Sequence, residues 1–402
     1  MSVQSSENNG VLSVGGIDVM RLAGRAGRTP FFAYDRAAID DRVRSLRNTL
    51  PAGVGLHYSI KANPMPAVVH HLATQVDGFD VTSATEMALA LNAGMPAGRI
   101  GFAGPGKGHD ELRRAVASGI NVHLESLTQL HLVTALGWEL GVQPSIALRV
   151  NPDFHVGHSG MRMGGGATPF GVDATQVPEL LRELKAREVA LAGFHVFWGS
   201  QCLHAGTIID AQRQGADLVM RLADGLATVP RYANLGGGFG IPYFPGETPL
   251  DLAAVAAAMQ GWLPQLRDRL PGIDVVLELG RYLVGEAGVY VCRVIDRKVS
   301  GGRTFLVTDG GLHHHLAASG NFGQVLRRNF PVVLGNRLND VLTERCHIVG
   351  CLCTPLDRLA DDVPLPNAHI GDFVVILQSG AYGRSASPAD FLGHPDAIEM
   401  LV

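Results

Sequence analysis

The sequence predicts an α/β chain: a (β/α)8 TIM barrel followed by a C-terminal all-β domain, a β-sandwich or Greek-key barrel. Three observations carry that expectation. From about Gly55 to Gly280, short β-branched runs alternate with longer amphipathic or Ala/Leu-rich runs. The strand–helix units number eight, the count of the barrel. After Arg281 the alternation stops, and strand-like runs follow one another without helices. An open doubly wound sheet is the alternative for the first part, but it offers no reason for eight.

The barrel strands fall in order near Gly55–Ile60, Gly78–Thr82, Ile100–Ala103, Asn121–Leu124, Ser145–Val150, Leu191–Phe197, Tyr232–Leu235 and Asp274–Leu279. Helical stretches between them include Thr85–Asn92, Glu111–Ala117, Leu127–Leu140, Ile208–Leu226 and Leu252–Leu270. Val289–Ile295, Thr304–Thr308, His347–Gly350 and Asp372–Leu377 read as strands of the second domain. The expected division is an N-terminal segment at 1–30, the barrel at 31–281 and the β domain at 282–402. The first segment is too short to fold alone, and its Val11–Val19 is expected to add a strand to the β domain.

Of 402 residues, 46% are hydrophobic and 17% charged, which permits a sizeable core. A formal charge of -4 without a long basic run speaks against a nucleic-acid partner. No secretory signal is visible at the polar N-terminus, and no apolar stretch is long enough to span a bilayer. Five cysteines, an odd number, fit a reducing compartment, so a cytoplasmic location is expected.

Lys61 ends an apolar strand in Tyr58-Ser59-Ile60-Lys61-Ala62-Asn63. A buried amine there is costly unless used, and desolvation lowers its pKa toward the nucleophilic free base. The chemistry that most wants such an amine is Schiff-base formation with an aldehyde, above all pyridoxal phosphate. A lysine snorkelling out from a strand end is the plain alternative.

Active sites of such barrels collect at the C-terminal ends of the strands, and polar residues collect there here. Asp80 and Glu86 follow strand two, Arg149 closes strand five, and His195, Phe197 and Ser200 follow strand six. Gly236, Gly237 and Gly238 follow strand seven, and Glu278, Gly280 and Arg281 close strand eight. The triple glycine can offer several backbone N–H groups to one phosphate, with Ser200 adding a hydroxyl; a tight turn is the alternative. A carboxylate such as Glu278 against a pyridine nitrogen keeps the ring a strong electron sink, which points to decarboxylation. A structural ion pair with Arg281 is the other reading. In the second domain Cys353 is a candidate proton donor or, alternatively, a small buried hydrophobe. Cys351, His347 and the run His313-His314-His315 lack the paired spacing of a zinc site, so no metal is expected.

Together these motifs resemble the fold-type III pyridoxal-phosphate decarboxylases, the family of diaminopimelate and ornithine decarboxylases, over roughly residues 30 to 390. The resemblance implies that Lys61 is the cofactor lysine, that Asp80 and Glu86 form an acidic pair near it, and that Glu278 faces the pyridine nitrogen. It places Ser200, the triple glycine and Tyr382 at the phosphate, and completes the cofactor set with Arg149, His195, Phe197, Gly280 and Arg281. Cys353 would return the proton, and Arg281, Thr354, Asp357 and Tyr382 would meet substrate. The cysteine-bearing loop of this family reaches into the neighbouring subunit's barrel, so a homodimer is implied.

Departures from the family pattern narrow the substrate. Phe197 stands where a stacking histidine is usual, and Leu279 replaces a proline. Thr354 follows the cysteine where enzymes that hold a distal ammonium carry an acid, and Ala317 stands where diaminopimelate enzymes carry an arginine. The pattern looks closer to a subgroup found with bacterial exopolysaccharide export (exosortase A) clusters. It also resembles decarboxylases of aminoglycoside biosynthesis that act on carrier-protein-tethered aminoacyl groups. The expected function is pyridoxal-phosphate-dependent decarboxylation of an amino acid or a tethered aminoacyl group. Diaminopimelate decarboxylase proper, a racemase of the same fold and a catalytically silent regulatory homologue are the alternatives.

Overall fold

The structure, a computed structural model, describes residues 10–154, 161–162, 164–324 and 326–402. The first nine residues of the expected N-terminal segment lie outside the described residues. The chain divides into two compact units. One comprises residues 43–241 and 248–280; the other comprises the described residues up to 42 together with 242–247 and 281–402.

In the first unit, eight parallel strands among the described residues close into a barrel. They are β1 Val54–Ser59, β2 Gly78–Val81, β3 Ile100–Phe102, β4 Asn121–Leu124, β5 Ser145–Asn151, β6 Leu191–Val196, β7 Tyr232–Gly237 and β8 Asp274–Leu279. Each strand pairs with the next, and β8 pairs back onto β1 from Val275–Val54 to Leu279–Tyr58. Every expected strand is present, with ends displaced by about two residues at most. Local chemistry sets the helices between them. Ser83, Ser126 and Asp251 accept the N–H groups of Glu86, Gln129 and Ala254, which starts Ala84–Asn92, Leu127–Leu140 and Leu252–Arg269. Gly141, at φ +65°, ends the second of these.

The second unit is built on one long strand, Gly288–Ser300. Its first half pairs with Phe31–Tyr34 and Phe373–Ile376, and its second half with Arg303–Thr308, all antiparallel. Glu344–Val349, Arg358–Leu365, Val332–Leu334 and Ile398–Leu401 extend the sheet to eight strands. The boundary expected at residue 31 therefore moves to about residue 42. Phe31–Tyr34 is the N-terminal strand that joins this sheet, because its ladder partners lie at Gly288–Val291 and Ile398–Leu401. Val11–Val19 does not form the expected strand. It makes a two-residue hairpin, Ser13–Val14 with Ile17–Asp18, and then leads into the helix Val19–Ala26, capped by Asp18. Leu12, Val14, Val19 and Leu22 pack with Phe31, Val289, Val291 and Val375 in a common core. Each such burial contributes about 1.5–3 kcal/mol before chain ordering is counted, which ties the N-terminal segment down.

His313, His314 and His315 are at most 1% exposed in this unit. His314 meets Tyr290 Oη at 3.1 Å and Pro395 O at 2.9 Å, and His315 Nε2 meets Ser379 Oγ at 2.9 Å. Among the described residues, neither ring nitrogen of His313 has a hydrogen-bonding partner. Burial lowers His313 to about 4 and His315 to about 3. In the unfolded chain each takes a proton near pH 6.5, so the stabilisation from neutral burial is complete above about 6.5 and is lost as the pH falls through the folded values. The expected slope is about 1 kcal/mol per pH unit per histidine below about pH 6.5. Thermal melting should therefore drop steeply between about pH 6.5 and 4.5, and less steeply in His313→Phe; equal pH profiles for the two proteins would contradict this.

Candidate active site

β1 runs into a 3-10 turn, Ile60–Ala62, with Lys61 at its centre. Ile60 and Ala62 are buried on either side and pin the turn, whereas Lys61 is half-buried and not sealed in the core as the strand pattern suggested. Its Nζ lies 5.8 Å from the centroid of the Phe197 ring. The end of β8 packs on the same turn: a Cβ at Gly280 would come within 2.9 Å of Ala62 Cβ. Glycine removes that clash.

Inside the barrel, Glu278 is 7% exposed. Its Oε2 accepts a hydrogen bond from Asn234 Nδ2 at 2.9 Å. The same oxygen lies 3.1 Å from His195 Nε2, a charge contact without hydrogen-bond alignment. Behind it, His195 Nδ1 and His123 Nδ1 are 2.9 Å apart. Burial opposes the Glu278 charge, but His195, Lys61 and Arg149 hold its carboxyl well below the usual carboxylate range. Asp80 behaves oppositely. Burial and the Glu278 charge push it up, against the partial relief of His57 Nδ1 at 3.4 Å. The two carboxyl groups are thus pushed in opposite directions from the ordinary carboxylate range. Asp80, expected near the lysine, has His57 Nδ1 of β1 in charge contact.

Glu86, the other member of the expected acidic pair, is bonded at the start of the next helix. Its Oε2 accepts from Thr82 N at 2.7 Å and Thr82 Oγ1 at 2.9 Å, while Ser83 Oγ accepts from Glu86 N. This is a capping arrangement for Ala84–Asn92, written in the Ser-Ala-Thr-Glu spacing of the sequence.

At the end of β7, Gly236 and Gly238 adopt φ of +70° and +76°. A Cβ on Gly237 would stand 1.9 Å from Glu278 O, and one on Gly238 2.6 Å from Gly199 O. Close packing alone therefore demands the glycines. The Gly236 N–H donates to Asn234 Oδ1 at 2.8 Å, which removes it from the expected phosphate cradle. Gly237 is buried, and Gly238 and Ser200 are half-buried.

Phe197 links these groups. Besides Lys61, the Arg149 guanidinium approaches its ring at 5.9 Å, and a Cβ on Gly236 would lie 3.1 Å from its Cδ2. Arg149 Nη1 donates to Glu125 Oε1 at 2.9 Å, and Lys107 Nζ lies 3.7 Å from the same oxygen. Burial brings the Lys107 amine down to about 8, with Glu125 working against it. Asn234, Glu125, Lys107 and His123 escaped sequence reasoning. Their one signal was that three of them stand on or just after barrel strands, a position they share with many structural residues.

In the second unit, Arg281 Nη1 donates to Tyr243 Oη at 2.9 Å, and its guanidinium lies 4.7 Å from the Tyr382 ring centroid. Tyr382 is held at φ +53°, a strained conformation for a non-glycine residue. Tyr243 had no sequence signal. Cys353 is exposed, while burial and Asp357 push the Cys351 thiol up to about 11. Thr354 Oγ1 accepts Leu356 N at 3.4 Å, a local turn contact. Asp357, expected at the substrate, is 2% exposed, and its two oxygens accept the N–H groups of Leu312 and Leu352 at 2.7 and 2.8 Å. It clamps the cysteine loop to the loop after Thr308, so its role in the fold is structural.

A family model described as the pyridoxal binding domain of pyridoxal-dependent decarboxylases matches residues 36–285. The L-glutamyl-[BtrI acyl-carrier protein] decarboxylase of Niallia circulans is 38% identical over 379 residues, 93% of this chain and 88% of that protein. Diaminopimelate decarboxylase of Aquifex aeolicus is 31% identical over 405 residues, 98% of this chain and 91% of the relative. Among solved structures, diaminopimelate decarboxylase from Helicobacter pylori complexed with L-lysine superposes with a TM-score of 0.82 at 26% identity, covering 95% of this chain and 94% of that one. Barrel, β unit, matched span and relatives agree: the chain belongs to the pyridoxal-dependent decarboxylases, and its cofactor is pyridoxal phosphate.

Proposed function

We propose that this decarboxylase removes the α-carboxylate of an aminoacyl group, glutamyl-like, carried as a thioester on an acyl carrier protein. The observation that carries the reading is the neutral character of two positions at which the resembled enzymes carry an acid and an arginine. Thr354 and Ala317 are neutral, and the carboxylate of Asp357 is taken by two backbone N–H groups. A tethered acyl group has no distal carboxylate or ammonium to pair, so such a site would not be penalised by leaving one unpaired. The higher identity to the glutamyl-carrier-protein enzyme than to the diaminopimelate enzyme supports it.

The residues around Lys61 fit the cofactor: an amine, a carboxylate, an aromatic face and a glycine-rich loop are neighbours. When bound, pyridoxal phosphate supplies an electron sink for the charge left at Cα after carbon dioxide departs. Lys61 Nζ is assigned as the covalent anchor, and the ionised Glu278 as the hydrogen-bond acceptor that keeps the pyridine nitrogen protonated. Gly237, Gly238 and Ser200 are assigned to the phosphate, and Phe197 to the ring face. Arg149 braces Phe197, and Cys353 Sγ is assigned to return a proton to Cα. A homodimer in a reducing cytoplasm, with Cys353 kept as a thiol, completes the reading.

The test compares purified holoprotein on free L-glutamate, meso-diaminopimelate, L-ornithine and the L-glutamyl thioester of an acyl carrier protein, scored by carbon dioxide release. The thioester is expected to be preferred by about 10²-fold or more in kcat/KM. Equal or better turnover of a free amino acid would overturn the tethered reading.

A further inference from the structure

One side-chain amide joins the two halves of the cofactor site. Asn234, fully buried on β7, donates through Nδ2 to Glu278 Oε2 on β8 at 2.9 Å and accepts the Gly236 N–H through Oδ1 at 2.8 Å. Both atoms of the amide are therefore engaged with groups assigned to opposite ends of the cofactor: the pyridine nitrogen and the phosphate. The two protein contacts to the Glu278 carboxylate, Asn234 and His195, converge on Oε2. Oε1 has no hydrogen-bonding partner among the described residues, which leaves it as the oxygen presented to a ligand donor.

We infer that Asn234 is a positioning residue that sets the register between the Glu278 carboxylate and the glycine loop, turning Oε1 toward the pyridine nitrogen while holding Gly236 in place. The inference rests on the proposed assignment of Glu278 and the loop to pyridoxal phosphate. Its geometry is specific to an amide. A donor is required on one side and an acceptor on the other, and asparagine is the smallest residue carrying both on one planar group. Leucine fills the space with neither, and aspartate keeps only the acceptor. Other groups facing Glu278 are His195, Lys61, Arg149, Asp80, His123 and Tyr232.

The two functions separate in two variants of the full-length holoprotein, read by titration with pyridoxal phosphate and by the pH midpoint of the visible band. Asn234→Asp retains an oxygen for the Gly236 N–H but sets a second carboxylate against Glu278, which raises the basicity of the pair. Its cofactor Kd is expected to stay within about threefold of the parent, while the midpoint rises by about one pH unit and kcat falls about tenfold. Asn234→Leu loses both bonds, so Kd should weaken about tenfold in addition to the midpoint shift. A merely structural asparagine would lower the melting temperature of both variants without moving Kd or midpoint, and that result overturns the inference. If the leucine variant does not fold, the near-isosteric aspartate variant decides alone. A parent protein with no visible band would instead sink the cofactor assignment itself, and this inference with it.

Discussion

Lys61→Ala is expected to abolish the visible absorption band of the purified protein and to lower decarboxylation by about 10⁴-fold. The alanine variant should fold normally, because Lys61 is half-buried in a turn pinned by Ile60 and Ala62. Loss of charge beside Phe197 is a competing explanation for any defect, since Lys61 Nζ lies 5.8 Å from that ring. Lys61→Arg separates the two. It preserves a cation at the same place but has no amine that can bond an aldehyde carbon, so it should be as inactive and as colourless as the alanine variant. Retained colour in either variant would show that the covalent anchor lies elsewhere, with Lys107, the buried amine lowered to about 8, as the first place to look.

The second large effect is expected for Glu278→Gln. Glutamine is nearly isosteric and can still accept from Asn234 Nδ2, so fold and covalent attachment should survive. What disappears is the negative charge beside the pyridine nitrogen, and with it the preference for the protonated ring. A kcat loss of about 10²–10³ is expected, the scale of removing one preorganised electrostatic contact in a buried site. KM should change little, because the interaction strengthens only as charge develops. The direction of the Glu278 shift adds a second check. His195, Lys61 and Arg149 outweigh burial and hold its carboxyl below the usual range, so Glu278 stays ionised throughout the neutral region. The wild-type rate profile from about pH 5 to 9 should therefore carry no limb from this group. Unchanged kcat in the glutamine variant would remove Glu278 from the electron-sink role.

The barrel was legible because its signals are local. β-Branched runs, serine and aspartate caps and helix-ending glycines act within a few residues of themselves, so the strand order and the helix starts can be read along the chain. Lys61, Glu278 and the glycine run were legible for a related reason: each marks the end of a strand, and barrel topology brings all strand ends to one rim. The strands Val332–Leu334, Arg358–Leu365 and Ile398–Leu401 escaped notice because short strands among polar loops carry too little alternation to stand out.

Sequence by itself thus determined the class of fold and the family, and it marked a short set of candidate residues at the strand ends. Tertiary structure alone decided what each polar atom meets. The Gly236 N–H is taken by Asn234, both Asp357 oxygens by backbone N–H groups, and the Glu86 carboxylate by its own helix start. Phe31–Tyr34 likewise joined the β unit only through ladder partners more than 250 residues away. The physical reason is the same throughout. A buried donor or acceptor must find a partner when water is removed, and which partner is within reach is set by the closure of barrel and sheet, not by neighbours along the chain.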